Sequence, residues 1–259
     1  MPRQMRQKSS TGIYHVMIRG NSGQTLFEDD EDNKRFLEIL HETKEKMNHE
    51  IDLFAYCLMG NHVHLLIREN KADLGDFMRR AAAHYALWVN SKYGRKGHVF
   101  QDRYKSEPVE DDQYLLVVFR YILQNPLKAK LSNTPFDYRW SSWRSYEKNE
   151  EYPVGLTDVT FLLDLFGSSR EEAVDRMKRF VEKENHDACL DMETGTRLTD
   201  DELRSRIREQ YPLVKYQSLK QLPKEERNLA LKQIKSIEGA SLRQIARITG
   251  LGIRIVQNA

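Results

Sequence analysis

The chain has 259 residues, 39% hydrophobic, 10% aromatic and 31% charged, a balance that supports a packed core and excludes a disordered chain. No apolar run approaches the roughly 18–20 residues of a membrane helix, no apolar block follows the basic start MPRQMRQKSS, and the two cysteines, Cys57 and Cys189, exclude a disulfide scaffold; the expectation is a cytoplasmic protein without a membrane partner. The net charge of +2 is segregated, with basic stretches at 1–19, 79–105 and 241–259 and acidic clusters at 28–32 and 110–112, which suits either a polyanion met on one face or a set of solvated helix faces.

In chain order, 13–19 (IYHVMIR) reads as a strand with Tyr14, Val16 and Ile18 on one face and His15, Met17 and Arg19 on the other. A helix over 30–48 follows, capped by Asp29 or Asp30. Residues 51–58 and 62–67 read as a hairpin turning at Gly60–Asn61. A long helix over 73–93 starts at Asp73, a Gly- and base-rich loop spans 94–105, and a short strand at 106–110 precedes a helix over 112–125 that Pro126 ends. Strand, helix, strand, strand, helix, strand, helix is the split βαβ order, so the fold class expected is α+β: a ferredoxin-like antiparallel sheet with helices and one extra helix. Beyond residue 150 the periodicity is helical, giving a catalytic domain over 1–150, a helical extension over 151–235 and a helix-turn-helix over 236–259.

The sharpest chemical signal is GNHVHLLI at 60–67. Side chains two apart in a strand share a face, so His62 and His64 project together while Val63, Leu65 and Ile67 take the other side. Two imidazoles so placed can share a divalent cation with ligands from elsewhere, or simply be histidines on an open sheet face. In YILQNP, Tyr121 and Asn125 stand one helical turn apart on one face. A phenol is a weak nucleophile until a cation favours its phenolate, and the Asn125 carbonyl suits a hard cation; Tyr114 is a rival on nearly the same face.

Together, GNHVHLLI and YILQNP resemble the histidine–hydrophobe–histidine and single-tyrosine motifs of the IS200-like (Y1, HUH) transposases. YHVMIRGN (14–21), GHVFQDRYKS (97–106), YRWSSWRSY (138–146) and FLLDLFGSSREEA (161–173) resemble the branch of REP-associated tyrosine transposases. The resemblance implies a single-stranded DNA endonuclease and strand transferase cutting beside hairpins. His62, His64 and Asn125 would hold Mg²⁺ or Mn²⁺, and Tyr121 would form a 5′-phosphotyrosine link. Many relatives carry Gln at the Asn125 position. A domesticated, non-catalytic hairpin-binding regulator is the alternative, and the active form is a monomer or a homodimer.

The DNA contacts expected are Arg19, on the face opposite Tyr14, and the loop residues Arg95, Lys96, Gln101, Arg103, Tyr104 and Lys105, where cations alternate with rings as an unpaired strand requires. At 241–259 the small Ala246, Gly250 and Val256 fall at helix-turn-helix spacing, with Ile253 and Val256 facing the core and Arg243 and Arg254 as duplex-DNA contacts.

Overall fold

The computed structural model describes residues 6–148, 150–185, 187, 189–190, 200–212, 214–237, 240 and 242–259, without the side chains of 200–202, 217 and 243. Its first unit, Met1–Leu190, runs β1 (Ile13–Arg19), α1 (Asp30–Lys46), β2 (Ile51–Met59), β3 (His62–Glu69), α2 (Leu74–Lys92), β4 (Lys105–Val109) and α3 (Asp112–Lys128). The four described strands pair antiparallel in the order β2-β3-β1-β4, the ferredoxin-like arrangement expected.

Strand alternation divides the core in two. Tyr14, Val16, Ile18, Val63, Leu65 and Ile67 pack with Phe36, Leu40, Phe77 and Tyr85 of α1 and α2. Ile13 and Leu66, on the opposite face, pack with Leu115, Phe119 and Ile122 of α3. In β2 a register shift between Leu53 and Ala55 puts Phe54 and Ala55 on the α3 side and returns Tyr56 to the other. The helix starts are chemically fixed: Asp29 and Asp32 form a reciprocal capping box on α1, and the Asp73 carboxylate accepts from Asp76 N at 2.8 Å on α2.

Two expectations are corrected. Pro126 does not end α3, which continues to Lys128. In the last turn a proline forfeits a single intrahelical hydrogen bond, and Ala129 N still reaches Asn125 O at 2.9 Å. The contact boundary falls after Leu190, not near 150. Helices α4 (Trp143–Glu147), α5 (Thr160–Phe166) and α6 (Arg170–Glu182) bury Trp143, Leu162, Met177 and Val181 in the α3-side cluster, so the segment after 150 completes the first unit's core. Each such side chain adds about 1.5–3 kcal/mol of burial.

The second unit, Asp191–Ala259, holds α7 (Asp200–Gln210), α8 (Lys224–Lys235), α9 (Leu242–Thr249) and α10 (Ile253–Asn258) around Leu203, Leu231, Ile234, Ile245 and Val256. Gly250 takes φ +67° between α9 and α10, the left-handed turn its spacing predicts. Val256 is buried as expected, but Ile253 is 44% exposed; Leu251, in the turn, fills the core place expected of it.

Candidate active site

The side of the sheet that carries the histidines is covered by α3, not open to solvent. His64 is fully buried, and its Nδ1 lies 3.0 Å from Nε2 of the equally buried His15 on β1. The register explains the contact: Met17 is the direct partner of His64 and His15 that of Leu66, so His15 and His64 are diagonal neighbours on one face. The His62 ring stands 5.0 Å from that of His64, nearly perpendicular to it, and its Nδ1 meets Asn61 Oδ1 at 2.7 Å. A proton on Nδ1 there leaves the lone pair on Nε2.

From the other layer α3 delivers Tyr121, whose ring centroid lies 5.8 Å from that of His15 and 5.8 Å from that of His64, edge-on to both. Lys128 Nζ, two turns further along α3, sits 4.7 Å from the Tyr121 ring centre. Asn125, between them, is buried, and its Nδ2 has no hydrogen-bond partner among the described residues. The helix is pinned on its far side. Arg120 binds both oxygens of Asp187 at 2.8 and 3.0 Å, and Gln124 Nε2 donates to Val181 O at 2.6 Å.

Burial pushes the His64 imidazole well below its usual pKa, and the neighbouring His15 and His62 act in the same direction, so the ring is neutral near pH 7 and able to ligate. Its Nε2 is buried without a hydrogen-bond partner among the described residues. A buried imidazole nitrogen and a buried amide that lack partners among the described residues, with a second imidazole two residues along the strand, fit a divalent cation held by His62, His64 and Asn125. Among the described residues no cluster of three or more His, Cys, Asp or Glu side chains is placed to hold a metal, so an amide would have to complete the protein's ligand set.

Tyr114, the rival phenol, is engaged elsewhere. Burial and a hydrogen bond to Glu107 raise its pKa far above 10. Glu107 is the direct cross-strand partner of His15 on β4, and its Oε2 lies 3.8 Å from His15 Nδ1 while accepting from Leu190 N at 2.8 Å. Burial works to raise this carboxyl, but the nearby His15 and hydrogen bonds from Leu190 and Tyr114 outweigh it and hold the pKa below the usual value. Sequence reasoning passed over Glu107 and Lys128. The spacing Tyr121, Asn125, Lys128 was visible, but reading Pro126 as a stop hid it; the pairing of Glu107 with His15 needs the register.

The basic-aromatic loop is stitched to the end of β1. Asn21 N donates to Val99 O at 2.8 Å and Gln101 N to Arg19 O at 3.0 Å, and Arg19 is the cross-strand partner of His62. The loop therefore lies beside the histidine strand. Gln101 Oε1 is buried without a partner among the described residues. Lys96 and Arg95 line an open polar cleft of about 740 Å³ with Asn21, Gln24, Asn90 and His98. Arg95 also pairs with Glu28 at 3.1 Å. Arg103 and Lys105 are exposed, Lys105 on the same face of β4 as Glu107. Tyr104 is less available, since the Arg6 guanidinium lies 3.7 Å over its ring. Arg254 is exposed on α10 in the second unit, and the Arg243 side chain lies outside the described residues.

Two solved structures resemble the chain. One is a REP-associated tyrosine transposase bound to a REP hairpin, 17% identical, with a TM-score of 0.48 over 62% of this chain and 94% of that one. The other, from Deinococcus radiodurans and assigned as a transposase, is 17% identical, with a TM-score of 0.33 over 45% and 92%. No curated protein matches. The family model "Transposase IS200 like" matches residues 8–125, a span that opens just before β1, includes both strand histidines and Tyr121, and closes on Asn125. Over this segment, somewhat less than half of its length, the chain is similar to the IS200-like transposases.

Proposed function

We propose that the chain is a metal-assisted, single-tyrosine DNA strand transferase that cuts single-stranded DNA beside a small hairpin. The observation that carries this reading is the approach of the Tyr121 ring to 5.8 Å from both His15 and His64 of the same chain, which suits a tyrosine serving its own protomer's histidines. Mg²⁺ or Mn²⁺ on His62, His64 and Asn125 would supply charge neutralisation at the scissile phosphate. Two imidazoles favour Mn²⁺ of the pair.

The Tyr121 oxygen forms a bond to phosphorus as the bond to the 3′ oxygen breaks. The phenol loses its proton and the departing 3′ oxygen gains one, leaving a 5′-phosphotyrosine and a free 3′-hydroxyl. Attack by a 3′-hydroxyl on that link reseals a strand, so the phosphodiester energy is conserved and no nucleotide is consumed. Lys128, over the ring, favours the phenolate electrostatically. Arg95, Lys96, Arg103 and Lys105 neutralise strand phosphates, Arg19 adds a contact beside His62, and Gln101 Oε1 is an acceptor for a base edge. The hairpin preference rests on the resemblance of the flanking motifs. Exposed Arg254 on α10, after the Gly250 turn, suits a second contact with duplex DNA.

One observation favours the regulator instead: Tyr121 is only 4% exposed, so a strand must displace covering side chains, Lys128 among them, to reach the phenol. Incubation with a hairpin-bearing single strand and Mn²⁺, followed by denaturing electrophoresis, separates the readings. A protein–DNA adduct is expected from the wild type and from Tyr114→Phe, and none from Tyr121→Phe. Tight binding with no adduct in Mn²⁺ or Mg²⁺ would establish the regulator, and loss of the adduct in Tyr114→Phe alone would move the nucleophile.

A further inference from the structure

Among the buried polar groups of the first unit, one line of contacts stands behind the His64 ligand. Glu107 Oε2, His15 Nδ1, His15 Nε2 and His64 Nδ1 follow one another across β4, β1 and β3, with separations of 3.8 Å and 3.0 Å at its two contacts. His15 and His64 are both fully buried. Where both imidazoles are neutral, nitrogens 3.0 Å apart share one proton between them, and two arrangements exist. If His15 Nε2 carries it, His15 Nδ1 turns a lone pair toward the Glu107 carboxylate and His64 carries its own proton on Nε2, the atom buried without a hydrogen-bond partner among the described residues. If His64 Nδ1 carries it, His15 Nδ1 presents N–H to the carboxylate and His64 Nε2 is a free lone pair.

Electrostatics selects the second arrangement. A carboxylate 3.8 Å away repels a lone pair and attracts an N–H, more strongly in a buried site than in water. At that distance the contact is electrostatic and not a closed hydrogen bond. Glu107 is fixed there independently of His15, by the Leu190 N–H at 2.8 Å and by the Tyr114 hydroxyl. The second arrangement also spares the fold an N–H buried without an acceptor at His64 Nε2.

We propose that His15 and Glu107 are positioning residues that lock His64 in its Nδ1-protonated tautomer, with the Nε2 lone pair presented to the cation. The proposal rests on the reading of His62 and His64 as metal ligands. Outer partners of this kind commonly set affinity by about 10–100-fold. The cross-strand register supplies the relay: Glu107 is the direct partner of His15, and His15 the diagonal neighbour of His64.

The test uses the full chain and two readouts that need no turnover. Long-range ¹H–¹⁵N correlation of the imidazoles reports the His64 tautomer in metal-free protein, and Mn²⁺ titration followed by electron paramagnetic resonance reports affinity. The wild type is expected to show His64 protonated on Nδ1. Glu107→Leu and His15→Phe are expected to mix or invert the tautomer and to weaken Mn²⁺ binding about 10–100-fold. Glu107→Gln, which removes the charge and keeps an acceptor oxygen, is expected to fall between the wild type and Glu107→Leu. Glu107 sits on an edge strand with its side chain 33% exposed, so its variants are informative even where His15→Phe fails to fold. An Nε2-protonated His64 in the wild type, or an unchanged tautomer and affinity in Glu107→Leu, overturns the relay. A wild type with the expected tautomer that binds no Mn²⁺ overturns the metal reading and not the relay.

Discussion

Replacing Asp187 with Ala would strand the Arg120 guanidinium, which is 11% exposed and bound to both carboxylate oxygens at 2.8 and 3.0 Å. The Asp187 side chain is itself 14% exposed, so the pair lies between a surface ion pair, worth under about 1 kcal/mol, and a fully buried one, whose rupture costs about 3–5 kcal/mol. Contact of Arg120 with the Phe180 ring, 4.4 Å from its centroid, survives the change and recovers part of the loss. The expected destabilisation is therefore about 2–3 kcal/mol, or a fall of roughly 5–10 °C in the unfolding midpoint of the first unit. Urea and thermal unfolding followed by tryptophan fluorescence measure it. The double variant Arg120→Met with Asp187→Leu should recover more than half of the loss, because no unpaired charge remains. A single variant within about 0.5 kcal/mol of wild type would refute the claim that this pair clamps the tyrosine helix.

Two further outcomes follow from the same geometry. Lys96→Ala and Arg103→Ala should each weaken single-strand binding and reduce the slope of log K against log salt by about 0.7, whereas Arg254→Ala should affect duplex binding alone; unchanged slopes would remove these cations from the interface. Burial pushes the Cys189 thiol up to about 12, against a hydrogen bond from Tyr114 and with help from the Glu107 and Asp187 charges. About one thiol in ten thousand is then ionised at pH 8, so iodoacetamide labelling followed by mass spectrometry should be on the order of 10³-fold slower than in urea. The sign for stability is the same: an unfolded thiol ionises near its model value of 9.0, so the contribution of Cys189 is complete below that pH and is lost as pH rises toward about 12. Labelling at the unfolded rate would show that the contact of Cys189 with Tyr114 does not persist.

Much of the architecture was readable from residue order. Alternation in IYHVMIR and HVHLLI assigned each strand its two faces, and the Asp29 and Asp73 caps marked where the two sheet-covering helices begin. The pairing of His62 with His64, and of Tyr121 with Asn125, follows from the periods of strand and helix, which are local properties of the backbone. What lies across those elements is not local. Residues 92 positions apart, His15 and Glu107, meet because β1 pairs with both β3 and β4, and a slip of one residue in either ladder would turn one of them away.

Residue order settles the periodic elements and places the two histidines and the tyrosine on their faces, because side-chain direction along a strand or helix is set by the chain's own geometry. Tertiary structure alone decided that α3 covers the histidine face, that the helices after residue 150 complete that core, and that a carboxylate stands behind His15. Those facts depend on register and packing between segments far apart in the chain, where a buried charge is tolerated only if the fold supplies its partners.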